Sequence, residues 1–329
     1  MPAAVNNNRN KSGDEYTKLK RFILFGVIVT LVILGYHFYE YFLRDVIDND
    51  KDAEIEHDIL ELTQNLFKDE VKDNPYLQHV NFQGNTHSFK RDDRAPKPLL
   101  QLNNNLLDSD TTSTTYLMKR LFDNYELDSS AVEKVTPAEQ QEELDFLQAI
   151  LKTKIMKRTM NFLHKKGVVE DSVEAQLQLL KDIWFTQYSR GQGRIGSSGF
   201  EHVFLSEIKN QNILGLHNWI YFSEQEAQGN LEYQGFINHM DLDKHNKFLV
   251  ALRFKFHGIV KPYNTLLIGT TPELEMSLYT VCFLLNSAEP CPVQLGTTKF
   301  DVITHTWDWK GKKTIASAYY SLDDGKERT

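Results

Sequence analysis

Cysteine is nearly missing from this sequence: Cys282 and Cys291 are the two that its 329 residues contain. That excludes a disulfide framework and a cysteine-built zinc site. The pair lies close enough in sequence to bridge in an oxidising compartment, and two reduced thiols are an equal alternative. A surplus of positive charge is missing too. Lys and Arg number 37 against 45 Asp and Glu, for a formal net charge of −8. The chain is therefore not coated for generic nucleic-acid binding, although a locally basic cleft stays open. No G-x-S-x-G occurs to set a nucleophilic serine on a strand-to-helix elbow, and no H-E-x-x-H to hold zinc on a helix. Low-complexity sequence is confined to the Asn-rich start.

What is present begins with an abrupt change of character. Residues 1–21 are polar and read as a disordered tail. From Phe22 to Tyr39 there is no Asp, Glu, Lys or Arg, and Tyr41, Phe42 and Leu43 carry the apolar run past Glu40. Residues 22–43 can thus cross a hydrocarbon core of about 30 Å as one helix, with Tyr36, Phe38, Tyr39 and Tyr41 as an interfacial aromatic belt. Lys18, Lys20 and Arg21 precede the run, whereas Asp45, Asp48, Asp50 and Asp52 follow it. The positive-inside rule then leaves the N-terminus in the cytoplasm and everything after the run in a lumen or outside, a single-pass type II arrangement. A cleaved signal peptide is the rival, but bulky residues stand where a small-x-small cleavage site belongs. The expected organisation is a cytoplasmic tail over 1–21, a signal anchor over 22–43, a linker over 44–53 and one domain over 54–325.

Within that domain the hydrophobic period changes once. From about Ile55 to Tyr188 it is helical: Ile59, Leu60, Leu62, Leu66 and Phe67 make one apolar face, and Leu144, Phe146, Leu147, Ile150 and Leu151 another. Loops are expected at Asp73–Tyr76 and Phe89–Pro98. Lys152, Lys154, Lys157, Arg158, Lys165 and Lys166 crowd one segment, readable as a solvated helix face or as a surface for RNA or anionic lipid. After Gly191 the period becomes two. Phe248–His257 reads as a half-buried strand with a partly basic outer face, and Leu266–Gly269 as another strand. Further strands are expected near Pro292–Leu295, Phe300–Trp307 and Thr314–Tyr320. Thr271-Pro272-Glu273 opens one helix with a cap residue, a first-turn proline and an early acid. The fold class is α+β, a helical part over 54–190 followed by a strand-rich part over 191–325.

The chemistry gathers between Ser197 and Phe222. Phe200, His202 and Phe204 alternate with Glu201, Val203 and Leu205, and His217, Trp219 and Tyr221 alternate with Asn218, Ile220 and Phe222. The alternation predicts two short strands, each placing one histidine on a single face. Two imidazoles at one centre suit general acid–base work near neutral pH; the plain alternative is a pair of hydrogen-bonded structural histidines. Glu201 and Glu207 accompany them. Adjacent strand residues point to opposite faces, so Glu201 and His202 make poor partners for one metal ion. Lys261 closes the basic-faced strand before Pro262, and Ser317 and Tyr319 share one strand face, suited to holding a base by a hydroxyl and a ring.

Five blocks carry a resemblance. G-F-E-H-V-F at Gly199–Phe204, G-L-H-N-W-I at Gly215–Ile220, K-P-Y-N-T-L-L-I-G-T-T-P-E-L-E at Lys261–Glu275, L-Y-T-V-C-F-L at Leu278–Leu284 and I-A-S-A-Y at Ile315–Tyr319 resemble, in order, the motifs of the EndoU family of XendoU-like, poly(U)-specific endoribonucleases. The resemblance implies RNA cleavage 3′ of uridines to a 2′,3′-cyclic phosphate, stimulated by a divalent metal, manganese or, in some members, calcium. It implies His202, His217 and Lys261 as catalytic residues, Ser317 and Tyr319 as uracil contacts, and Glu201 and Glu207 as supporting acids. The metal ligands stay unassigned, as does the order of base and acid. The expected partners are single-stranded uridine-containing RNA and, through residues 22–43, the lipid bilayer, with the chain working as a monomer. Two other readings use the same residues: an RNA-binding membrane protein without significant turnover, and a metal-dependent phosphodiesterase with water as nucleophile.

Overall fold

The structure, a computed structural model, describes residues 9–87, 93–191, 193–242, 245–287 and 289–322. Two compact units divide the chain, one ending at Ile55 and one beginning at Glu56. Helix α1 (Arg9–Asp69) makes up the described part of the first unit. No proline or glycine stands between Gly35 and Pro75, so nothing there breaks a helix. Residues 44–53, expected as a linker, are accordingly helical, and so are residues 9–21, expected as a disordered tail; residues 1–8 of that tail lie outside the described residues. Tyr16–Glu40 has a mean hydropathy of 2.1, none of it buried within the protein, and is long and apolar enough to cross a membrane.

The second unit opens with the last turns of α1, which bury Ile59, Leu62 and Leu66. A small antiparallel pair follows, β1 (Leu77–Val80) with β2 (Leu100–Leu102). The expected loop Phe89–Pro98 falls between them, and its residues 89–92 lie outside the described residues. Helices α2 (Asn104–Ser109), α3 (Thr114–Lys119), α4 (Pro137–Lys152), α5 (Lys154–Lys165) and α6 (Val173–Trp184) make the helical half. Local chemistry sets their starts. Thr136 and Glu139 form a reciprocal capping box ahead of α4, whose first residue is Pro137. On α5, Ile155, Met156, Met160 and Leu163 are buried, and Lys154, Lys157, Arg158 and Lys165 face outward. Lys154 and Arg158 each hold the Asp69 carboxylate at 2.7 Å.

The strand-rich half carries α7 (Gly199–Phe204), the hairpin β3 (Ser206–Lys209) and β4 (Asn212–Gly215), and α8 (Trp219–Ala227). One antiparallel sheet runs β5 (Leu231–Asp241), β6 (Phe248–Phe256), β7 (Ile259–Ile268); the other is ordered β10 (Lys312–Ser321), β9 (Thr298–Trp309), β8 (Cys291–Leu295). Helix α9 (Pro272–Leu285) packs against the second sheet, and a Cys282–Cys291 disulfide ties its last turns to β8. The architecture is α+β.

Three expectations need correction. The stretch expected as two strands is instead helix, hairpin, helix. All six residues of α7 are buried, so it shows no polar face from which a 3.6 period could be read. His217 stands in the link between β4 and α8. Second, β6 is central rather than half-solvated: Leu249 to Phe254 are all buried, and Arg253 is accommodated by a 3.0 Å hydrogen bond from its Nε to Gln234 Oε1. Third, Thr271 precedes α9 but makes no side-chain cap bond. Its hydroxyl donates to Glu70 Oε2 at 2.7 Å and its amide to Glu70 Oε1 at 3.2 Å, so the carboxylate just past the end of α1 holds the start of α9.

Candidate active site

Gly215 is where the site comes together. It ends β4 with φ +69, a left-handed value that costs other residues energy, and a Cβ there would fall on the His202 carbonyl oxygen. Only a glycine lets α7 lie this close to β4. From the other side the Lys261 ammonium, on β7, donates to the Gly215 carbonyl. Two residues on, the His217 amide donates to Val203 O of α7 at 2.9 Å. One glycine thus brings together three sequence-distant residues expected in the site: His202, His217 and Lys261.

Each imidazole is oriented by a partner on Nδ1. That of His202 meets Glu207 Oε2 at 2.8 Å. That of His217 meets the Thr265 carbonyl at 3.1 Å; a carbonyl only accepts, so the proton is on Nδ1 and the lone pair on Nε2. Asn218 Oδ1 then caps α8 by accepting from Ile220 N and Tyr221 N, and its Nδ2 donates to Glu275 of α9 at 3.2 Å. The histidines are only 6% and 7% exposed. Burial pulls His202 down to about 4, with Glu207 opposing and Arg190 assisting. Burial and the nearby Lys261 cation hold His217 well below the ordinary value. Burial draws Lys261 itself down to about 7. A phosphate entering here brings negative charge that favours the protonated form of all three.

Tyr319 lies over His217, ring centroids 5.7 Å apart and planes at 27°, and His305 lies 6.0 Å from the same ring. Ser317 shares its face of β10, after a bulge between Ile315 and Ser317. Glu207 takes His202 on one side and Arg190 Nε, also 2.8 Å from Oε2, on the other. Although burial works upward, these two hold its carboxyl below the ordinary value. Glu201, next to His202 on α7, turns instead toward Glu133. Its separation from His202 was expected on strand grounds; a helix gives it through the 100° step between neighbours.

Arg190 is the residue that sequence reasoning missed. Besides Glu207 it reaches the Ser197 hydroxyl (2.8 Å), the Tyr188 phenol (2.7 Å) and the Ala316 carbonyl (2.7 Å), the last beside the β10 bulge. It joins the His202 dyad to the strand carrying Ser317 and Tyr319. A lone arginine in Y-S-R-G offers no periodic or spacing signal.

These residues do not make a divalent-ion site. Glu207 is engaged by His202 and Arg190, and Glu201 by Glu133. Among the described residues, the one grouping of three potential ligands is His57, Asp58 and Glu61 on α1, partly exposed, with Asp58 already held by Lys166 at 2.6 Å.

Residues 58–320 match the family described as Endoribonuclease XendoU. The chain belongs to that family. XendoU relatives similar to it include the Uridylate-specific endoribonuclease EndoU of Drosophila melanogaster, 46% identical over 96% of this chain and 97% of that protein. The Poly(U)-specific endoribonuclease-B of Xenopus laevis is 39% identical over 60% of this chain and 68% of its own length. A solved structure titled "The structure of XendoU: a splicing independent snoRNA processing endoribonuclease" is also similar, with a TM-score of 0.66 and 31% identity over 82% of this chain and 98% of that one.

Proposed function

We propose that this XendoU-family chain is a uridine-preferring endoribonuclease that cleaves by 2′-OH transesterification. The observation that carries the reading is the meeting of His202, His217 and Lys261 about Gly215, with Tyr319 stacked beside; the relatives' uridylate and poly(U) names support the base preference. His217 Nε2 takes the 2′-OH proton as that oxygen attacks phosphorus. The bond from phosphorus to the 5′ oxygen breaks, and His202, its cationic form stabilised by Glu207, gives the leaving oxygen a proton. The products are a 2′,3′-cyclic phosphate and a 5′-hydroxyl. Lys261 offsets charge on the non-bridging oxygens, while the Tyr319 ring and the Ser317 hydroxyl receive the uracil. All these residues belong to one chain, so a monomer suffices.

Manganese or calcium would act as a stimulating ion, an effect measured by cleavage with and without chelator. The apolar run supports membrane anchoring, and the disulfide, a bond that persists in oxidising compartments, supports a lumenal or extracellular domain.

The test is an RNA with one uridine beside its 2′-deoxyuridine counterpart. A cyclic-phosphate product from the first alone is expected, abolished in His202→Ala and in His217→Ala. Cleavage of the deoxy substrate would favour water as nucleophile; binding without product would favour an RNA-binding protein.

A further inference from the structure

Behind His202 lies an arrangement that the proposed reaction does not use. The loop after Ser129 is fixed to the segment before α7 by main-chain contacts: Glu133 N donates to Ile195 O at 3.0 Å, and Gly196 packs so close to Ala131 O that no Cβ fits. This sets the Glu133 side chain against α7. Its Oε1 accepts from Gln187 Nε2 at 2.7 Å. Among the described residues its Oε2 is closed off from water without a donor, and so is Glu201 Oε2, while the two carboxyls lie within hydrogen-bonding reach of each other. Ionised carboxylates only accept hydrogen bonds, and an unmet buried acceptor is costly. One proton between the two satisfies both.

We infer that Glu133 is a positioning residue for the reaction, sharing a proton with Glu201 and thereby holding α7, and His202 with it, in working register. The inference rests on the endoribonuclease reading for its kinetic consequence and on the fold alone for its structural one. Among the described residues, the charged groups that face the pair favour keeping the proton. Glu139 and Glu143 of α4 face Glu133, Glu207 of β3 faces Glu201, and the phenols Tyr125 and Tyr188 close the Glu201 side. Opposing them are the Glu126 backbone, which donates to Glu133, and the Ser198 hydroxyl and amide, which donate to Glu201. Burial raises both carboxyls, Glu133 to about 7 and Glu201 well above the usual range. When base removes the proton, two adjacent anions repel with no cation between them, and α7 loses its hold on the loop.

The pair's contribution to stability is complete below the unfolded carboxyl range and is lost as pH rises through the folded one. Glu133→Gln supplies a permanent amide donor to an ionised Glu201, removing the dependence on a shared proton. Glu133→Ala removes the partner altogether.

The experiment uses the full chain in detergent micelles. Cleavage of a single-uridine RNA is followed from pH 5 to 9, and thermal midpoints are recorded over the same range. Glu133→Gln is expected to keep near-neutral cleavage within a few-fold of the unmodified chain and to move the alkaline loss of kcat to higher pH. Glu133→Ala is expected to lower kcat about ten- to a hundredfold, as misplacing a reacting group does, with KM little changed. An unmodified alkaline limb in Glu133→Gln, or full kcat in Glu133→Ala, overturns the inference. If the unmodified chain cleaves no RNA, the functional reading fails and the midpoints decide: a smaller alkaline drop in Glu133→Gln upholds the shared proton, and superimposable curves refute it.

Discussion

At the scale of single residues, one atom that is missing accounts for much of the site. A methyl on Gly215 would clash with the His202 backbone and force a left-handed φ on an alanine. The conformational part costs about 1–2 kcal/mol, and the clash cannot be relieved without separating α7 from β4. Gly215→Ala should therefore lower stability by roughly 2–4 kcal/mol and abolish uridine cleavage even where the variant remains folded. Denaturant unfolding and an RNA assay on the same sample check both. An active variant would show that the two histidines need not be held by this contact. The sequence displays this glycine inside G-L-H-N-W-I, and it displays His202, His217, Lys261, Ser317 and Tyr319 in motifs of their own. It does not display Arg190 or Glu133, since each acts through partners far along the chain, Arg190 at Ala316 and Glu133 at Glu201.

Elements were legible where they are long and face water on one side. Strands β8, β9 and β10 lie where period-two alternation places them, whereas α9, almost wholly buried, was legible only from its Thr-Pro-Glu start. Short or wholly buried elements were not: α7 is six residues without an exposed face, and β6 is buried on both. The Glu70 cap on α9 was beyond sequence for another reason, a separation of 201 residues. It carries a prediction. Glu70→Ala removes two hydrogen bonds to Thr271 and should cost roughly 1–3 kcal/mol. Burial raises Glu70 to about 7, against the lowering hydrogen bonds from Thr271. With the folded value above the unfolded one, its stabilising contribution is full below about pH 4 and declines as pH rises through about 7. Thermal midpoints at pH 5 and pH 8 should accordingly lie closer together in Glu70→Gln than in the unmodified protein. An unchanged gap would mean that Glu70 is ionised in the fold throughout.

For the whole molecule, the distribution of charge and the one disulfide bear on the same question by independent routes. In the proposed anchored arrangement, the basic residues before the apolar run would direct the N-terminus to the cytoplasm, and the Cys282–Cys291 bond would be at home on the opposite side. Both sulfurs belong to fully buried residues, so the bond, once formed, is shielded from exchange. Closing a nine-residue separation should contribute about 2–3 kcal/mol, lost in the double replacement of both cysteines by serine. Cells producing the full chain can be lysed into denaturant and a large maleimide reagent without reductant. A domain on the non-cytoplasmic side should show no mobility shift before reduction and two additions after it. An N-terminal tag on sealed microsomes from the same cells should meanwhile be digested by added protease. Two thiols labelled before reduction, together with a protected tag, would reverse the orientation and place the nuclease site in the cytoplasm. Free thiols with a digestible tag would instead separate the arguments, retaining the orientation set by the basic flank and removing the disulfide as support for it.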